Sequence, residues 1–313
     1  MLKATVLIVS CNRKDELLAA VASARAQDFP HLDIVVYDDA SSDGSLEAVR
    51  AQFPDVVAIG DGVKRSATVL RNLGFAKADG DVVFSLDDDS YFTSPDTVSR
   101  IMEVFAARPS VAVAAIPFIE PYFPSLHDAT EEADIHSVSS YTGCAAAIRR
   151  SVFVDIGGYR EFFEYYSEER DLSIRLMHAG YELVQVPTGL IVHTKSRKRN
   201  SRRQMQRALR NGYCAILLNV PARFVPGRIV RYTAGSLMYG FSFRTSVFKA
   251  WSLLCGFVDA LSRLHARRAV SIETYRRFRS LPAHGRLSWK PGETPPRPCG
   301  LGNDFVQIRT RNE

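Results

Sequence analysis

The sequence predicts an α/β fold, in which a mixed sheet is flanked by helices and followed by a helical C-terminal region. In the first two-thirds of the 313 residues, apolar and β-branched runs alternate with amphipathic stretches, the pattern of successive βαβ units. After Val192 strand signals become rare, and apolar and basic residues recur at helical spacing through residues 201–268. From Leu281 onward proline, glycine and polar residues dominate, which is typical of an irregular tail. The predicted division is an α/β domain over 1–195, a helical region over 196–280 and a tail over 281–313.

Short apolar runs predict the strands of the α/β domain, and helical spacing predicts the helices between them. The predicted strands cover residues 5–10, 32–37, 56–59, 81–86, 111–116 and 144–148. Helices are predicted over 14–27 and 68–78, and a third begins with Ser94 as its N-cap and Pro95 at its first helical position. A further helix carries Leu172 and Leu176 and ends at Gly180.

Composition indicates a soluble globular protein. Hydrophobic residues make up 46% of the chain and charged residues 24%, which is ordinary for a chain that buries a sizeable core. The chain has no run of 18 or more apolar residues, so no membrane-spanning helix is expected. The apolar stretch at 4–9 is too short for a signal-peptide core, and we interpret it as the first strand. Five scattered cysteines without a Cys-x-x-Cys pair indicate a cytoplasmic protein rather than a disulfide framework.

The net charge of +6 is unevenly spread. Between Lys195 and Arg210 the chain has eight Lys or Arg residues and no carboxylate. Such a block suits the phosphate groups of a membrane surface, a nucleic acid or a nucleotide substrate. Charge alone leaves these alternatives open, together with that of a solvated helix face. Aromatic residues do not interleave with the block as stacking platforms would require, so no nucleic-acid partner is expected.

The sharpest chemical signal is the run Asp87-Asp88-Asp89, which directly follows the apolar strand at 81–86. Adjacent carboxylates repel one another, and burial disfavours their ionised forms. A divalent cation removes both penalties, and carboxylates suit hard ions such as Mg²⁺ or Mn²⁺, which in turn bridge diphosphate oxygens. Ligands of open α/β sheets bind beyond the carboxyl ends of the strands, where this run lies. The run therefore predicts a metal and diphosphate site; the alternative is a solvated turn.

Polar residues also follow the first two predicted strands. Asp38 and Asp39 follow the strand at 32–37 and can accept hydrogen bonds from a base or ribose, and a Ser-rich turn after them starts a helix near Ser45. The first strand ends in Ser10-Cys11-Asn12-Arg13. Turns of this composition are common, but together these strand ends predict polar groups that converge at one edge of the sheet.

The chain resembles the family 2 glycosyltransferases of the GT-A fold from Val6 to about His193. The resemblance is carried by Ser10-Cys11-Asn12-Arg13, residues 38–45, Arg71-Asn72-Leu73-Gly74, residues 78–81, Asp87-Asp88-Asp89, Gly143, residues 149–153 and 156–159, Glu168-Glu169-Arg170-Asp171-Leu172, Gly180-Tyr181 and His193. Each motif alone is common, whereas their order and spacing together are specific. The resemblance implies a Rossmann-like mixed sheet and an inverting enzyme that moves a sugar from a nucleotide-diphosphate sugar to a hydroxyl acceptor.

In that family an Asp-x-Asp pattern contacts the nucleotide ribose and the metal. This implies that Asp87 faces the nucleoside, that Asp89 binds Mg²⁺ or Mn²⁺, and that Asp88 supports them. Asp38 matches the family's contact to uracil or thymine, with Asp39 beside it.

Five further positions match nucleotide and metal contacts of the family. Arg71 falls where a basic residue contacts the base and phosphates, and Ser10, Asn12 and Arg13 form the nucleotide-binding end of the first strand. His193 matches a histidine that completes the metal shell or contacts the diphosphate. A loop histidine without a partner is the alternative for this last residue.

The resemblance also implies a catalytic base. Inverting transfer needs a carboxylate that removes the proton of the acceptor hydroxyl. In most members of the family this site has the sequence Glu-Asp-x-Asp, and its first Asp is the base. Here the pair is Glu168-Glu169, so Glu169 takes the base position with one extra methylene, and Glu168 serves instead if the register is shifted. Asp171 orients the helix start or binds acceptor. The alternative is that these acids only favour a helix N-terminus through its dipole.

Two other function classes stay open at this point. A sugar nucleotidyltransferase also has a nucleotide-binding α/β sheet, but it needs a glycine-rich loop after the first strand, and residues 10–14 contain no glycine. A non-catalytic relative that only binds nucleotide sugars is supported by the departure at Glu169.

The expected partners are a UDP-, dTDP- or GDP-sugar donor and a hydroxyl-bearing glycan, lipid-linked or small-molecule acceptor. The long turn-rich segment at 117–140 and the C-terminal helices are expected to recognise the acceptor. An apolar stripe at helical spacing is formed by Val247, Trp251, Leu254, Val258, Leu261 and Leu264. The stripe suits an interfacial helix at the inner face of the plasma membrane, and equally packing on the protein or on a second subunit of a homo-oligomer.

Overall fold

The predicted α/β fold is confirmed by the computed structural model, which describes residues 1–122, 134–194, 201–238, 243–283, 287 and 294–301. The strands are β1 (Ala4–Ser10), β2 (Leu32–Asp38), β3 (Val57–Ile59), β4 (Val82–Asp87), β5 (Ser90–Phe92), β6 (Val111–Ala115), β7 (Phe118–Ile119), β8 (His136–Ser137), β9 (Ala146–Arg149), β10 (Glu182–Gln185) and β11 (Ile191–His193). Within the described residues, eight of them form the main sheet in the order β3-β2-β1-β4-β9-β6-β10-β8.

The helices pack on both faces of this sheet and continue beyond it. They are α1 (Lys14–Arg25), α2 (Ser45–Gln52), α3 (Ala67–Lys77), α4 (Thr97–Ala107), α5 (Arg150–Asp155), α6 (Glu168–His178), α7 (Ser201–Asn219), α8 (Val225–Met238), α9 (Phe243–Ser262) and α10 (Ile272–Ser280). Side chains of β1 alternate between two hydrophobic clusters, with Val6 and Ile8 in one and Leu7 in the other. Burial on both faces explains why this strand is a continuous apolar run.

Strand direction changes across the sheet. β1 pairs in parallel with β2 on one side and with β4 on the other. β9 then runs antiparallel between β4 and β6. The register places Ser10 opposite Asp38 and Val9 opposite Asp87, so the carboxyl ends of three neighbouring parallel strands lie side by side.

A small second sheet, in the order β5-β11-β7, carries His193 to the same edge. β5 begins directly after the acidic run, and β11 pairs with it in antiparallel register, His193 opposite Ser90. The hydrogen bond from Thr194 N to Asp89 O, at 2.8 Å, extends this pairing. The second sheet therefore fixes His193 beside the acidic run, although the two lie about a hundred residues apart in the sequence.

The C-terminal helices pack against the α/β domain. Leu209 and Leu217 of α7 and Leu253 of α9 share one hydrophobic cluster, while Ile216 of α7 and Phe278 of α10 join a cluster of the main sheet. The described part of the predicted tail has no helix or strand, yet it is packed, because Cys299 N donates to Phe92 O at 3.0 Å. Residues 284–286, 288–293 and 302–313 of the tail lie outside the described residues. None of the described helices combines the length and hydrophobicity needed to cross a lipid bilayer.

The predicted start of the third helix is wrong by two residues. α4 begins at Thr97 after Asp96, and Ser94 does not cap it. The Ser94 hydroxyl donates to the Asp96 carboxylate instead, while Gln27 Oε1 accepts from Val98 N at 3.1 Å. A side chain from the end of α1 thus satisfies the helix N-terminus that Ser94 was predicted to satisfy.

Candidate active site

The acidic run lies at the carboxyl end of β4, where it is paired with Arg13. Asp87 is the last residue of β4, and Asp88 and Asp89 form the buried turn into β5. Arg13 Nη1 donates to Asp88 Oδ1 at 2.6 Å and to Asp89 Oδ2 at 2.9 Å, and Cys11 N donates to Asp88 Oδ2. Burial raises the pKa of Asp88 to about 7 against the opposing effect of Arg13. The end of β1 therefore partly compensates the charge that the run concentrates.

Arg71 compensates the remaining side of the run from within the core. Its guanidinium donates to Asp87 Oδ1 at 2.5 Å and lies 3.6 Å from Glu168 Oε1. Although burial opposes ionisation, the carboxylates of Asp87, Glu168 and Glu169 hold the pKa of Arg71 well above its ordinary value. A Cβ on Gly143 would lie 3.0 Å from the guanidinium carbon, so glycine at this position leaves room for Arg71.

We expect Arg71→Ala to lower the free energy of unfolding by about 3 kcal/mol, because it leaves buried carboxylates without their cation. Urea unfolding followed by circular dichroism measures this. Arg100→Ala is the matched control: Arg100 pairs with Asp96 at 2.6 Å on the exposed side of α4, and its loss should cost about 1 kcal/mol or less. Equal losses in the two variants would show that Arg71 does not compensate a buried charge.

The ends of β1 and β2 form the predicted nucleoside side of the site. Asp38 Oδ2 accepts from Ser41 N at 2.8 Å, whereas Asp38 Oδ1 is buried without a hydrogen-bond partner among the described residues. Asn12 bridges to the same turn, since its Oδ1 accepts from Ser42 N at 2.7 Å. Ser10 is buried, and its carbonyl accepts from Asp39 N. An unsatisfied buried carboxylate oxygen is costly, and a donor on a bound base would remove that cost.

Asp39 opens onto a cleft beside this edge. It pairs with Lys64 Nζ at 2.8 Å and accepts from Arg65 N at 2.5 Å. The cleft has a volume of 630 Å³, and it extends from Asp39 and Lys64 to Glu164 and Arg207, which is on α7. Of the predicted basic block, Arg207 therefore lies at this cleft, whereas residues 195–200 lie outside the described residues.

His193 is held between two acids at the opposite side of the run. Its Nδ1 lies 3.0 Å from Glu120 Oε1, and its Nε2 lies 3.2 Å from Asp89 Oδ1. Burial by itself lowers the pKa of His193, but its interactions with Cys144, Asp89 and Glu120 outweigh that effect and hold the pKa well above its ordinary value. The alternative of a loop histidine without a partner is wrong.

The side chains around His193 fit a divalent cation. Asp87, Cys144 and His193 each have one potential ligand atom within 4.8 Å of the other two. The carboxylate of Asp89 lies beside His193 Nε2. The predicted metal ligands Asp89 and His193 therefore lie together, and Asp87 and Cys144 are two further donors at the same place. Carboxylate, imidazole and thiol groups around one point match the donor types of protein metal sites.

Glu168 and Glu169 begin α6 and face different surroundings. Glu168 is 2% exposed and lies beside Arg71, and burial together with the charge of Glu169 raises its pKa to about 8. Glu169 is partly exposed, and its Oε1 accepts from Gly143 N at 3.1 Å. Burial also raises the pKa of Glu169, with Arg71 as the main opposing effect. Of the two residues, Glu169 is the one that keeps part of its surface exposed.

Asp171 is fully buried behind these two acids. Its Oδ1 accepts from Arg160 Nη1 at 2.8 Å and from Asn219 Nδ2 at 2.7 Å, and its Oδ2 accepts from Arg175 Nε at 2.9 Å. This network ties α6 to α7. Of the two roles that the sequence left open for Asp171, the geometry therefore favours orientation of the helix start over contact with an acceptor.

Three contributors to the site were not singled out from the sequence. Glu120 lies in the turn-rich segment at 117–140, of which residues 123–133 lie outside the described residues. Cys144 directly follows Gly143. Its position beside a glycine of the family motif was the one sequence signal that could have pointed to it. Lys64 lies in a loop with no regular spacing, so only the fold reveals its contact with Asp39.

Comparison with known families decides the assignment. Residues 5–169, more than half of the chain, match the model of glycosyl transferase family 2. The chain belongs to glycosyl transferase family 2. Family membership favours glycosyl transfer over the nucleotidyltransferase hypothesis, which had no glycine-rich loop to support it.

Three bacterial glycosyltransferases are similar to the chain over part of its length. It is 23% identical over 205 residues to an uncharacterized glycosyltransferase of Haemophilus influenzae, covering 61% of this chain and 69% of that protein. It is 33% identical to the uncharacterized glycosyltransferase alr2836 of Nostoc sp., over 36% of this chain and 35% of the relative. It is 26% identical to the UDP-Glc:alpha-D-GlcNAc-diphosphoundecaprenol beta-1,3-glucosyltransferase WfaP of Escherichia coli, over 31% of this chain and 39% of that enzyme.

Solved structures show the GT-A fold. The TarS structure from S. aureus in complex with UDP-GlcNAc has a TM-score of 0.65 at 15% identity, with 84% of this chain and 81% of that chain covered. The mannosyltransferase PcManGT from Pyrobaculum calidifontis in complex with GDP-Man and Mn²⁺ has a TM-score of 0.56 at 17% identity, with 84% and 87% covered. GT-A membership explains why the strand ends, and not the helices, carry the acidic residues.

Proposed function

We propose that this glycosyl transferase family 2 protein transfers a sugar, with inversion, from a nucleotide-diphosphate sugar to a hydroxyl acceptor, assisted by Mg²⁺ or Mn²⁺. One observation carries the proposal: three parallel strand ends, His193 and the start of α6 bring the acidic run and Glu169 to one edge of the sheet. Transfer needs these two parts together, one for the leaving diphosphate and one for the attacking hydroxyl.

On the donor side, Asp87, Asp89 and His193 would hold the cation. A divalent cation there supplies Lewis-acid stabilisation of the charge that develops on the diphosphate as the sugar leaves. Arg13 and Arg71 keep the carboxylates in place and add positive charge next to the same position. Asp38 Oδ1 would accept from a ring N–H of the base, a donor that uracil, thymine and guanine each carry.

On the acceptor side, Glu169 would take the proton of the attacking hydroxyl. The Gly143 N–H orients its carboxylate at 3.1 Å, and its partial exposure lets an acceptor reach it. Asp171 fixes the helix that carries it through contacts with Arg160, Arg175 and Asn219. The base is thus placed by a buried network, as precise positioning of a reacting group requires.

The proposal is tested by incubating the protein with Mn²⁺ and a panel of UDP-, dTDP- and GDP-sugars, and by measuring release of the nucleoside diphosphate. We expect slow release with water as acceptor and faster release with a hydroxyl acceptor. Tight binding of every donor without release or transfer to any acceptor would favour the non-catalytic alternative.

The pH dependence distinguishes Glu169 from Glu168 as the base. Glu169 must be ionised to act, and its pKa is raised, so kcat/KM rises with pH through a value above the ordinary glutamate pKa. Glu168, with a pKa of about 8, is protonated below pH 8, and glutamine resembles that form. We therefore expect Glu168→Gln to keep the activity and the acid limb of the profile below pH 8. Loss of activity in Glu168→Gln at pH 7, with Glu169→Gln active, would reverse the assignment.

We also propose that the outer face of α9 rests on an anionic membrane surface, where a lipid-linked acceptor would be presented. Val247, Trp251, Leu254 and Val258 are 56–63% exposed, whereas Leu253 on the opposite side is buried. Apolar side chains thus cover the face of α9 that is turned to solvent. Exposed arginines follow α9 in the sequence, at Arg268, Arg276, Arg277 and Arg279. Exposed apolar and basic residues together are typical of interfacial helices, and WfaP, by its name, acts on a lipid-linked acceptor.

We expect Val258→Glu to weaken binding to phosphatidylglycerol vesicles about tenfold or more, because burial of one valine contributes about 1.5–3 kcal/mol. Vesicle sedimentation and the fluorescence of Trp251 measure this. Val154→Glu is the control, since Val154 is 49% exposed on α5, away from the C-terminal helices. Dissociation of a dimer by Val258→Glu, with no vesicle binding by the unmodified protein, would assign the face to a second subunit instead.

A further inference from the structure

Cys144 is the feature of the site that neither the proposed transfer nor the acidic run requires. It is 2% exposed and lies just before β9, in the loop that begins with Gly143. A buried free cysteine usually behaves as a small apolar side chain. Here, however, its Sγ lies within 4.8 Å of a carboxylate oxygen of Asp87 and a ring nitrogen of His193. The thiol is therefore aimed at the polar centre of the site as well as packed in the core.

His193 is oriented for a ligand on the Cys144 side. Its Nδ1 lies 3.0 Å from Glu120 Oε1, which fixes the ring. Its Nε2 is buried and faces Asp89 Oδ1 at 3.2 Å, without the angle of a regular hydrogen bond. A carboxylate that holds one ring nitrogen while the other nitrogen faces the acidic run is the arrangement that orients histidine toward a metal.

The three donors are close to metal-binding geometry. In a tetrahedral site with ligand distances of about 2.0–2.3 Å, two ligand atoms are about 3.6 Å apart. The separations of at most 4.8 Å exceed this by about 1.2 Å or less, so metal binding would draw the three side chains together. With three protein ligands, a fourth position remains for Asp89, water or a substrate oxygen, as catalytic sites require.

We propose that Cys144 is a thiolate ligand that makes this centre a mixed sulfur, nitrogen and oxygen site, which binds a borderline-soft divalent ion of the Zn²⁺ or Co²⁺ type more tightly than the Mg²⁺ or Mn²⁺ of the proposed transfer. Mg²⁺ and Mn²⁺ prefer oxygen donors, whereas thiolate and imidazole favour the later transition metals. Such an ion binds through Asp87, Cys144 and His193, and the thiol proton and the proton of the binding ring nitrogen are released to solvent as the metal–sulfur and metal–nitrogen bonds form. The inference rests on the proposed function only in using the same cation position.

The test is a Co²⁺ titration of the purified, reduced, full-length protein without nucleotide, followed by absorption spectroscopy. We expect a thiolate-to-cobalt charge-transfer band in the near ultraviolet that grows to one equivalent. Cys144→Ser should lose the band and bind Co²⁺ at least about tenfold more weakly, while its Mn²⁺ affinity, measured by electron paramagnetic resonance, changes less than about threefold. Loss of Mn²⁺ and Co²⁺ affinity to the same degree would overturn the proposal, because the thiol would then not select the softer ion.

Cys11→Ser is the matched control, because Cys11 lies at the same edge beside Lys64, 2.7 Å from its Nζ, and is not part of the three-donor cluster. We expect Cys11→Ser to keep the band. A band that persists in Cys144→Ser, or that disappears in Cys11→Ser, would overturn the assignment. If Cys144→Ser fails to fold, the spectrum of the unmodified protein still tests the proposal, because bound Co²⁺ without a charge-transfer band excludes a thiolate ligand.

The proposed function and this inference fail separately. The Co²⁺ spectrum needs no turnover, so a protein that transfers no sugar can still show the band. Conversely, Mn²⁺-dependent transfer in a protein without the band would leave the proposed function intact and remove Cys144 from the metal centre.

Discussion

Glu169→Gln is expected to lower kcat for sugar transfer by about 10²- to 10⁴-fold, the contribution of a positioned general base. The amide keeps the shape of the side chain and an oxygen for the Gly143 N–H, but it cannot accept the hydroxyl proton. Donor binding should persist, because Asp87, Asp89 and Arg71 are unchanged. Transfer rates at saturating donor, combined with donor affinity from calorimetry, separate the two effects.

Glu103→Gln provides the control, since Glu103 is an exposed glutamate on α4 and its replacement should leave kcat within about twofold. Glu169→Asp restores the residue that the family usually places there, and we expect it to retain measurable transfer. A Glu169→Gln enzyme with normal kcat would mean that another group removes the proton.

Removal of divalent cations, or Asp89→Asn, is expected to lower kcat/KM by about 10²- to 10³-fold, the effect of losing one charge-stabilising contact in the transition state. Asp89 contacts Arg13 at 2.9 Å and His193 at 3.2 Å, so its replacement also weakens the contact with His193. Chelation followed by titration with Mn²⁺ should restore the unmodified protein fully and Asp89→Asn only in part.

Asp55→Asn is the control for this second change, because Asp55 pairs with Arg25 on the surface, 3.0 Å from its Nε, and lies away from the strand ends. It should respond to Mn²⁺ as the unmodified protein does. Full activity after chelation would indicate that Arg13 and Arg71 alone stabilise the leaving diphosphate.

Sequence periodicity predicted the parallel half of the sheet well. β1, β2 and β4 are buried on both faces, so their apolar runs are continuous and easily recognised. β5, β7, β8, β10 and β11 were missed because they are two to four residues long, too short to show a period; β3 is equally short and was predicted from its apolar run. α4 was placed two residues early because the residue that satisfies its N-terminus, Gln27, is distant in the sequence.

The site was predictable where its residues follow strands. Asp38, Asp87 and Asp89 end parallel strands, and the geometry of such sheets brings those ends together. The charge pairing was not predictable, since Arg71 reaches Asp87 and Glu168 from inside α3. The positions of Cys144 and Glu120 in the site were not predictable either. These residues belong to segments beside antiparallel and edge strands, whose place depends on the mixed strand order, and periodicity does not reveal that order.

The central proposal is metal-assisted inverting transfer. It is tested most directly by the anomeric configuration of the sugar in the product. Time-resolved proton NMR of a reaction with an α-linked UDP-sugar and Mn²⁺ distinguishes the two anomers before they equilibrate. Attack by a hydroxyl that Glu169 activates predicts the β-anomer first, at a rate that chelation and Glu169→Gln both suppress. First appearance of the α-anomer, or an unchanged rate without divalent cations, would contradict it.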